Sequence, residues 1–152
     1  MLITPEIFAL SLVSGILMYT ALVNMYEALS KADASDVVPV IAAIGAFGTL
    51  ALEFFFLDGV YTTENLIGMV LLIAGTLLVS QLRFNLNVFF HTLISGLSFA
   101  FYYALVKYIF TLVNFDSGFL YTRLGVMLAA VLVICIPLYR RRVFRKLNNK
   151  KV

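Results

Sequence analysis

The chain has 152 residues, and its composition is typical of a membrane protein rather than a soluble one. Hydrophobic residues make up 62% of the chain and charged residues only 12%, against about 25% charged residues in an average soluble domain. A soluble domain of this size could not cover so much apolar surface, so much of that surface must face lipid. The length allows one compact bundle and excludes a sizeable extramembrane domain.

Five apolar stretches follow one another along the chain, and each predicts a membrane-spanning helix. A hydrocarbon core about 30 Å thick needs about 20 helical residues, and four of the five stretches reach that length. None shows the ten-residue alternation of a barrel strand, so the predicted fold class is an all-α membrane protein, a polytopic bundle of five transmembrane helices. The predicted spans are residues 7–26, 37–57, 66–82, 88–113 and 119–139.

The links between the predicted spans are short, which makes neighbouring spans antiparallel. Pro39 is expected in the first turn of the second span, and residues 114–118 are expected to form a compact turn. Small residues spaced at helical intervals predict the packing faces between helices, because lipid supplies no hydrophobic drive. These are Ser11/Gly15, Ala42/Ala46, Gly68/Gly75, Gly96/Ala100/Ala104 and Gly125/Ala129.

The basic residues cluster at the C-terminus and indicate an orientation. Seven of the eleven Lys and Arg residues lie in the last thirteen, so the formal charge of +3 comes from this tail. Basic residues just beyond a span hold that end in the cytoplasm, so we interpret the tail as a topological signal rather than a nucleic-acid site. The predicted organisation is one transmembrane domain over residues 1–139 and a basic cytoplasmic tail over residues 140–152, with the N-terminus outside.

Three stretches resemble the EamA-type branch of the drug/metabolite transporter superfamily. Residues 21–35, with Tyr26-Glu-Ala-Leu29 running into a short polar link, are similar to that family's third helix. Residues 56–75 resemble its fourth-to-fifth helix junction, with Thr62, Asn65, Gly68 and Gly75 at matching positions and Asp58-Gly59 in place of the family's Gly-Glu pair. Residues 86–146, with Tyr121-Thr-Arg-Leu-Gly125, are similar to the opening of a second repeat.

The resemblance implies a partial copy of a ten-helix transporter built from two inverted five-helix repeats. Residues 7–82 would match the last three helices of one repeat, and residues 86–139 the first two helices of the next. The chain would then be a fragment, a split gene product or a small transporter. It would move small organic solutes or metabolites by alternating access in the bacterial inner membrane, as a homodimer or with a complementing half-transporter.

Glu53 is the first of five candidates for a substrate or proton pathway, because ionisable groups inside a span are costly. It lies near the end of the second span, with Thr49 one turn earlier. One interpretation is a proton-coupling or cation-binding carboxylate, and the other is a glutamate that snorkels or pairs with a neighbouring helix. Both remain open at this stage. The five candidates are Glu53, Asn24, Tyr102, Lys107 and Arg123.

The other candidates carry similar alternatives. Asn24 is favoured because an unpaired amide in lipid costs free energy, whereas Tyr26 and Glu27 suit an interfacial anchor. Lys107 is expected either to meet an anionic group of a substrate or to turn towards Asp116. A salt bridge among Lys107, Asp116 and Arg123 is an equal alternative to substrate contact. Tyr102 belongs with Lys107 to a polar stripe on the fourth span.

The sequence favours a protein that is not an enzyme and holds no cofactor or metal. It contains no nucleophile–base arrangement and no phosphate-cradling glycine loop. His91 is the only histidine and has no Cys, Asp or Glu at ligand spacing. The alternative function is a non-transporting membrane scaffold or an inactive truncated fragment.

Overall fold

The computed structural model describes residues 5–56, 62–79 and 86–135, and over these ranges the chain is helical apart from short links. Five α-helices follow in order, and no strand occurs in the described ranges. Their bounds are α1 Pro5–Leu29, α2 Ala34–Phe56, α3 Thr63–Val79, α4 Leu86–Leu112 and α5 Phe115–Cys135. The predicted tail, residues 140–152, lies outside the described residues.

Four helices, α1, α2, α4 and α5, are long and apolar enough to cross a membrane. α3 has 17 residues and is about 25 Å long, short of a hydrocarbon core about 30 Å thick. The prediction of an all-α membrane bundle of five helices is confirmed. Each helix begins a few residues before its predicted apolar stretch, because its polar first turn belongs to the same helical backbone.

Two local predictions about the links were wrong. α2 begins at Ala34, where the backbone oxygen of Asp33 accepts from the N–H groups of Asp36 and Val37, so Pro39 lies in the second turn rather than the first. Residues 114–118 are not a separate turn, because Phe115 already begins α5 and the N–H of Gly118 donates to the Asn114 oxygen. Asn114 therefore starts a helix where a loop was expected.

The helices pack in the lateral order α3–α2–α4–α1–α5, which differs from their order in the chain. α4 packs extensively against both α1 and α2, and α1 also packs against α5. Within the described ranges α3 contacts only α2. The result is a row of helices with α4 at its centre and α3 at one edge.

The α1–α5 crossing brings two backbones into direct contact. A Cβ built on Gly125 would collide with the backbone of Ser11, and a Cβ built on Gly15 would collide with the backbone of Gly125. Only glycine permits this approach at either position. Ser11 and Ala129 are buried at the same interface, so the predicted Ser11/Gly15 and Gly125/Ala129 packing faces are confirmed.

α2 packs on α4 through a face next to the predicted one. A Cβ on Gly96 would lie 2.6 Å from the Ile44 side chain, and one on Gly48 would lie 2.7 Å from Ala100. Ala42 is exposed, so the predicted Ala42/Ala46 packing face was wrong, whereas Gly96/Ala100 is confirmed. The face of α2 turned towards α4 contains the buried Ile41 and Gly45 instead.

The predicted packing face of α3 was also wrong. In the described part of the chain, no atom lies within 4 Å of a Cβ built on Gly68 or on Gly75. Both glycines face open space because α3 contacts α2 alone among the described helices.

Candidate functional site: a groove between α2 and α4

An open groove of about 600 Å³ runs along α2, and we call it the α2 groove. Its volume falls within the usual range of sites for small ligands. Its wall comes mainly from α2, with one residue of α1 and two of α4. The lining residues are Met25, Val38, Ile41, Ala42, Gly45, Ala46, Thr49, Leu50, Glu53, Phe99 and Tyr103.

The groove exists because small residues occupy the α2 face that lines it. Ala42, Gly45 and Ala46 leave a channel where larger side chains would fill the space. Phe99 and Tyr103 of α4 border it with their rings stacked, 6.1 Å between centroids. The Thr49 hydroxyl donates to the Gly45 oxygen, 2.8 Å away, so its hydrogen is used within α2. Most of the wall is therefore apolar.

A charged pair lies at one end of the groove. Lys107 Nζ is 2.7 Å from Glu53 Oε2, and the two side chains are 51% and 15% exposed. α2 and α4 run parallel, because the residue numbers at their contacts rise together along both helices. Gly45 contacts Gly96, Gly48 contacts Ala100, and Glu53 contacts Lys107. The last turns of both helices thus reach the same end of the bundle, which we call the Glu53 end.

The structure brings together two of the five sequence candidates, Glu53 and Lys107. Of the two interpretations of Glu53, the pairing with a neighbouring helix is observed. Lys107 lies against Glu53 rather than Asp116, so the alternative of a salt bridge among Lys107, Asp116 and Arg123 is not observed at this lysine. Burial inside a span is costly for a lone carboxylate, and the lysine offsets that cost.

Tyr102 and Arg123 do not line the α2 groove. Tyr102 is buried, with its ring edge against the next residue, Tyr103. The Arg123 guanidinium lies 4.9 Å from the centre of the Phe119 ring on its own helix, a cation–π contact. Tyr103 occupies the groove position on α4, one residue from the predicted Tyr102.

Asn24 belongs to a polar contact between α1 and α4 instead. His91 Nδ1 is 3.0 Å from Asn24 Oδ1, and since an amide oxygen only accepts, the Nδ1–H of His91 is the donor. Asn24 Nδ2 donates to the Thr20 oxygen at 2.9 Å. One turn along α4, the Ser95 hydroxyl donates to the Ala21 oxygen across the same interface. Both ends of the amide are thus paired, and the role of Asn24 on a pathway stays a prediction.

A second groove of about 540 Å³ lies on the opposite face of α4. Its lining is aliphatic and aromatic, and Tyr108 carries its polar atom. It is lined by Val13, Leu17, Leu52, Phe56, Phe101, Ala104, Leu105 and Tyr108. Without a charged group it offers no chemical means of selecting a polar ligand, so the α2 groove is the stronger candidate site.

The residues that α1 and α4 contribute to the groove were not among the five candidates, apart from Lys107 at its charged end. Met25, Phe99 and Tyr103 line the α2 groove, and only the Phe99/Tyr103 spacing of four residues could have signalled a shared face. Among the described residues, no group of three or more His, Cys, Asp or Glu side chains is arranged to hold a metal ion.

Comparisons with known proteins leave the family open. No family model matches the chain, and no solved structure matches it. It is 37% identical over 75 residues to an uncharacterized protein, MJ1333.1, of the archaeon Methanocaldococcus jannaschii. That match covers 49% of this chain and 54% of the archaeal protein, so the chain spans about half the length of the relative it matches.

Proposed function

We propose that the chain is a transporter-like membrane protein of the EamA type that moves small organic solutes by alternating access. The single observation that supports this most is the α2 groove, an apolar cavity with a charged pair at one end. Ionisable residues that face a cavity within a span typically mark substrate or ion pathways. In this proposal Glu53 and Lys107 bind the polar part of the solute, and the groove wall binds the rest without catalysing a reaction.

The groove is open along one side, so the proposed transporter needs a partner to enclose its substrate. We propose a second copy of this chain or a complementing half-transporter, since five helices supply half of the ten-helix plan of the family it resembles. We also propose the bacterial inner membrane as its location, with the C-terminal tail in the cytoplasm. The support for that orientation is the excess of Lys and Arg in the tail.

Transport can be tested with purified protein in liposomes. The vesicles would be loaded with a defined panel of organic acids, amino acids, nucleosides and polyamines, and exchange would be followed by mass spectrometry. We expect exchange of at least one solute class, and a drop of about tenfold in Glu53→Gln because a charged hydrogen-bonding partner is lost. Glu64→Gln, on the exposed first turn of α3, is the matched control and should exchange as the wild type does.

Two results would contradict the proposal: no exchange of any solute by the wild type, or equal exchange by Glu53→Gln. The first outcome favours the alternative function, a non-transporting scaffold or inactive fragment, and the second shows that transport does not depend on Glu53. The open face of α3 at Gly68 and Gly75 supports this alternative, because small residues let another helix approach closely. Neighbouring reading frames that encode the missing helices would establish a split or truncated gene.

A further inference from the structure

We propose that the α2 groove binds a zwitterionic phospholipid, with an ammonium-and-phosphate head at the Glu53–Lys107 pair and one hydrocarbon chain along the groove. The inference rests on the proposed function only in taking this groove as the ligand site, and it names the class of ligand. Four features of the groove support the binding of a zwitterionic phospholipid: its length, its wall, its charges and its open side.

The length of the groove matches that of a lipid chain. From Glu53 to Val38 the lining follows α2 for about 22 Å. One leaflet of a bilayer has a hydrocarbon thickness of about 15 Å, half that of the whole core. A full-length chain that starts at the Glu53 end therefore fits along the groove.

Apart from the Tyr103 hydroxyl, the wall of the groove beyond the charged pair is almost entirely apolar. Ala42, Gly45 and Ala46 present only methyl groups and backbone, and the Thr49 hydroxyl donates within its own helix. Polar groups of a ligand placed along this part of the wall would lose hydrogen bonds to water without replacing them. A hydrocarbon chain loses none, and it gains dispersion contacts with Phe99.

The two charges at the Glu53 end select a head that is itself zwitterionic. The Lys107 ammonium has three N–H donors and is half exposed, so it can contact a phosphate while one donor stays on Glu53. A carboxylate has several acceptor sites, so Glu53 can accept from a ligand ammonium alongside Lys107. The four charges then alternate in sign, and no net charge is added to the span.

Other common heads match the pair less well. An anionic head without an ammonium brings a second negative charge close to Glu53, which repels it. A trimethylammonium head is neutral overall but has no N–H to donate to the carboxylate. A primary ammonium beside a phosphate, as in phosphatidylethanolamine, satisfies both partners.

The position of the pair in the bundle agrees with a lipid head. Glu53 lies about 5 Å from the end of α2, and Lys107 about 8 Å from the end of α4. α4 is about 40 Å long, so it exceeds the hydrocarbon core by about 5 Å at each end. Lys107 therefore lies close to the boundary between hydrocarbon and headgroups. Ala42 is exposed, so the groove is open to a chain arriving sideways from the bilayer.

Native mass spectrometry of the purified protein tests the proposal. The protein would be offered equal amounts of phosphatidylethanolamine, phosphatidylcholine and phosphatidylglycerol with the same acyl chains in detergent. We expect the wild type to retain phosphatidylethanolamine about fivefold over each of the others. In Glu53→Gln/Lys107→Gln this preference should disappear while total bound lipid stays similar. In Ala46→Trp, whose side chain fills the channel, bound lipid should fall about fivefold or more for all three.

Ala9→Trp, on an exposed face of α1, is the control for adding an indole and should bind lipid as the wild type does. Ala42→Trp is the second blocking variant should Ala46→Trp not fold. Equal retention of the three lipids by the wild type would overturn the proposal, as would a preference that survives loss of both charges. A lipid preference without solute exchange would contradict the transport proposal and support the lipid proposal. Solute exchange without a lipid preference would contradict the lipid proposal and support the transport proposal.

Discussion

The carboxylate of Glu53 lies inside a membrane span, where a lone charge is expensive. Its side chain is only 15% exposed, and Lys107 reaches it from the parallel helix α4 at 2.7 Å. The lysine is half exposed and can stay hydrated at its outer side. Glu53 is therefore the more buried member of the pair, and Lys107 can move into water while Glu53 stays in the groove. This difference lets a ligand bind at the pair.

Removing the lysine alone should destabilise the protein more than removing both charges. Lys107→Met leaves the Glu53 carboxylate without its cation, and we expect a loss of about 1–2 kcal/mol, below the full cost for a buried pair because Lys107 is half exposed. Glu53→Gln/Lys107→Met should recover most of that loss. Thermal unfolding in detergent measures both, and a double variant less stable than Lys107→Met would contradict this account.

The hydrogen bond between His91 and Asn24 should couple α1 to α4 modestly. A double-mutant cycle with His91→Phe and Asn24→Leu isolates the pair, and we expect a coupling of about 0.6 kcal/mol, the typical value for such bonds in membranes. Ser95→Ala, which removes a separate bond to the Ala21 oxygen, is the control and should be additive with Asn24→Leu. Additivity of the His91 and Asn24 changes would show that the bond contributes nothing measurable.

At the scale of helices, the closest contact is the crossing of α1 and α5, where the chain has glycine on both sides. No side chain fits between these backbones, so dispersion contacts and weak C–H···O interactions replace side-chain packing. The edge helix α3 shows the opposite situation, since its glycines touch nothing among the described residues. Glycine therefore permits close packing of helices at the α1–α5 crossing and contributes to no helix contact in α3 among the described residues.

Alanine substitution at these glycines should separate the two situations. Gly125→Ala forces α5 away from Ser11, and we expect a loss of about 1–3 kcal/mol, the usual cost of overpacking. Gly75→Ala meets open space, so we expect no loss and a gain of up to about 1 kcal/mol from better helix propensity. Thermal unfolding of the two variants measures the difference, and equal losses would contradict the crossing.

At the scale of the whole molecule, hydropathy and length predicted most of the fold. Apolar stretches of bilayer length can be satisfied only by helices here, so the number and order of helices followed from the sequence. The small-residue patterns at Gly15 and Gly125 also correctly predicted packing faces, which meet at the crossing of α1 and α5. Ala42 and Ala46 misled, because a run of small residues can line a groove as well as a contact.

The candidate site was predictable only in part. Glu53 and Lys107 were both identified as costly charges in spans, and the alternation of antiparallel spans makes α2 and α4 parallel. Nothing in one sequence shows that these two helices are neighbours. The lateral order of helices decides which charges meet, and short links constrain only consecutive helices. For the same reason Asn24 was interpreted as unpaired, although its partner His91 lies 67 residues further along the chain.

The central claim is that the polarity of the Glu53–Lys107 pair organises a ligand site in the α2 groove. Its most direct test is the charge swap Glu53→Lys/Lys107→Glu, which keeps an ion pair at the site and reverses its direction. We predict unchanged helical content by circular dichroism and a fall of about tenfold in solute exchange by proteoliposomes. Exchange at the wild-type rate by a folded swap variant would show that the pair is structural and that the function lies elsewhere.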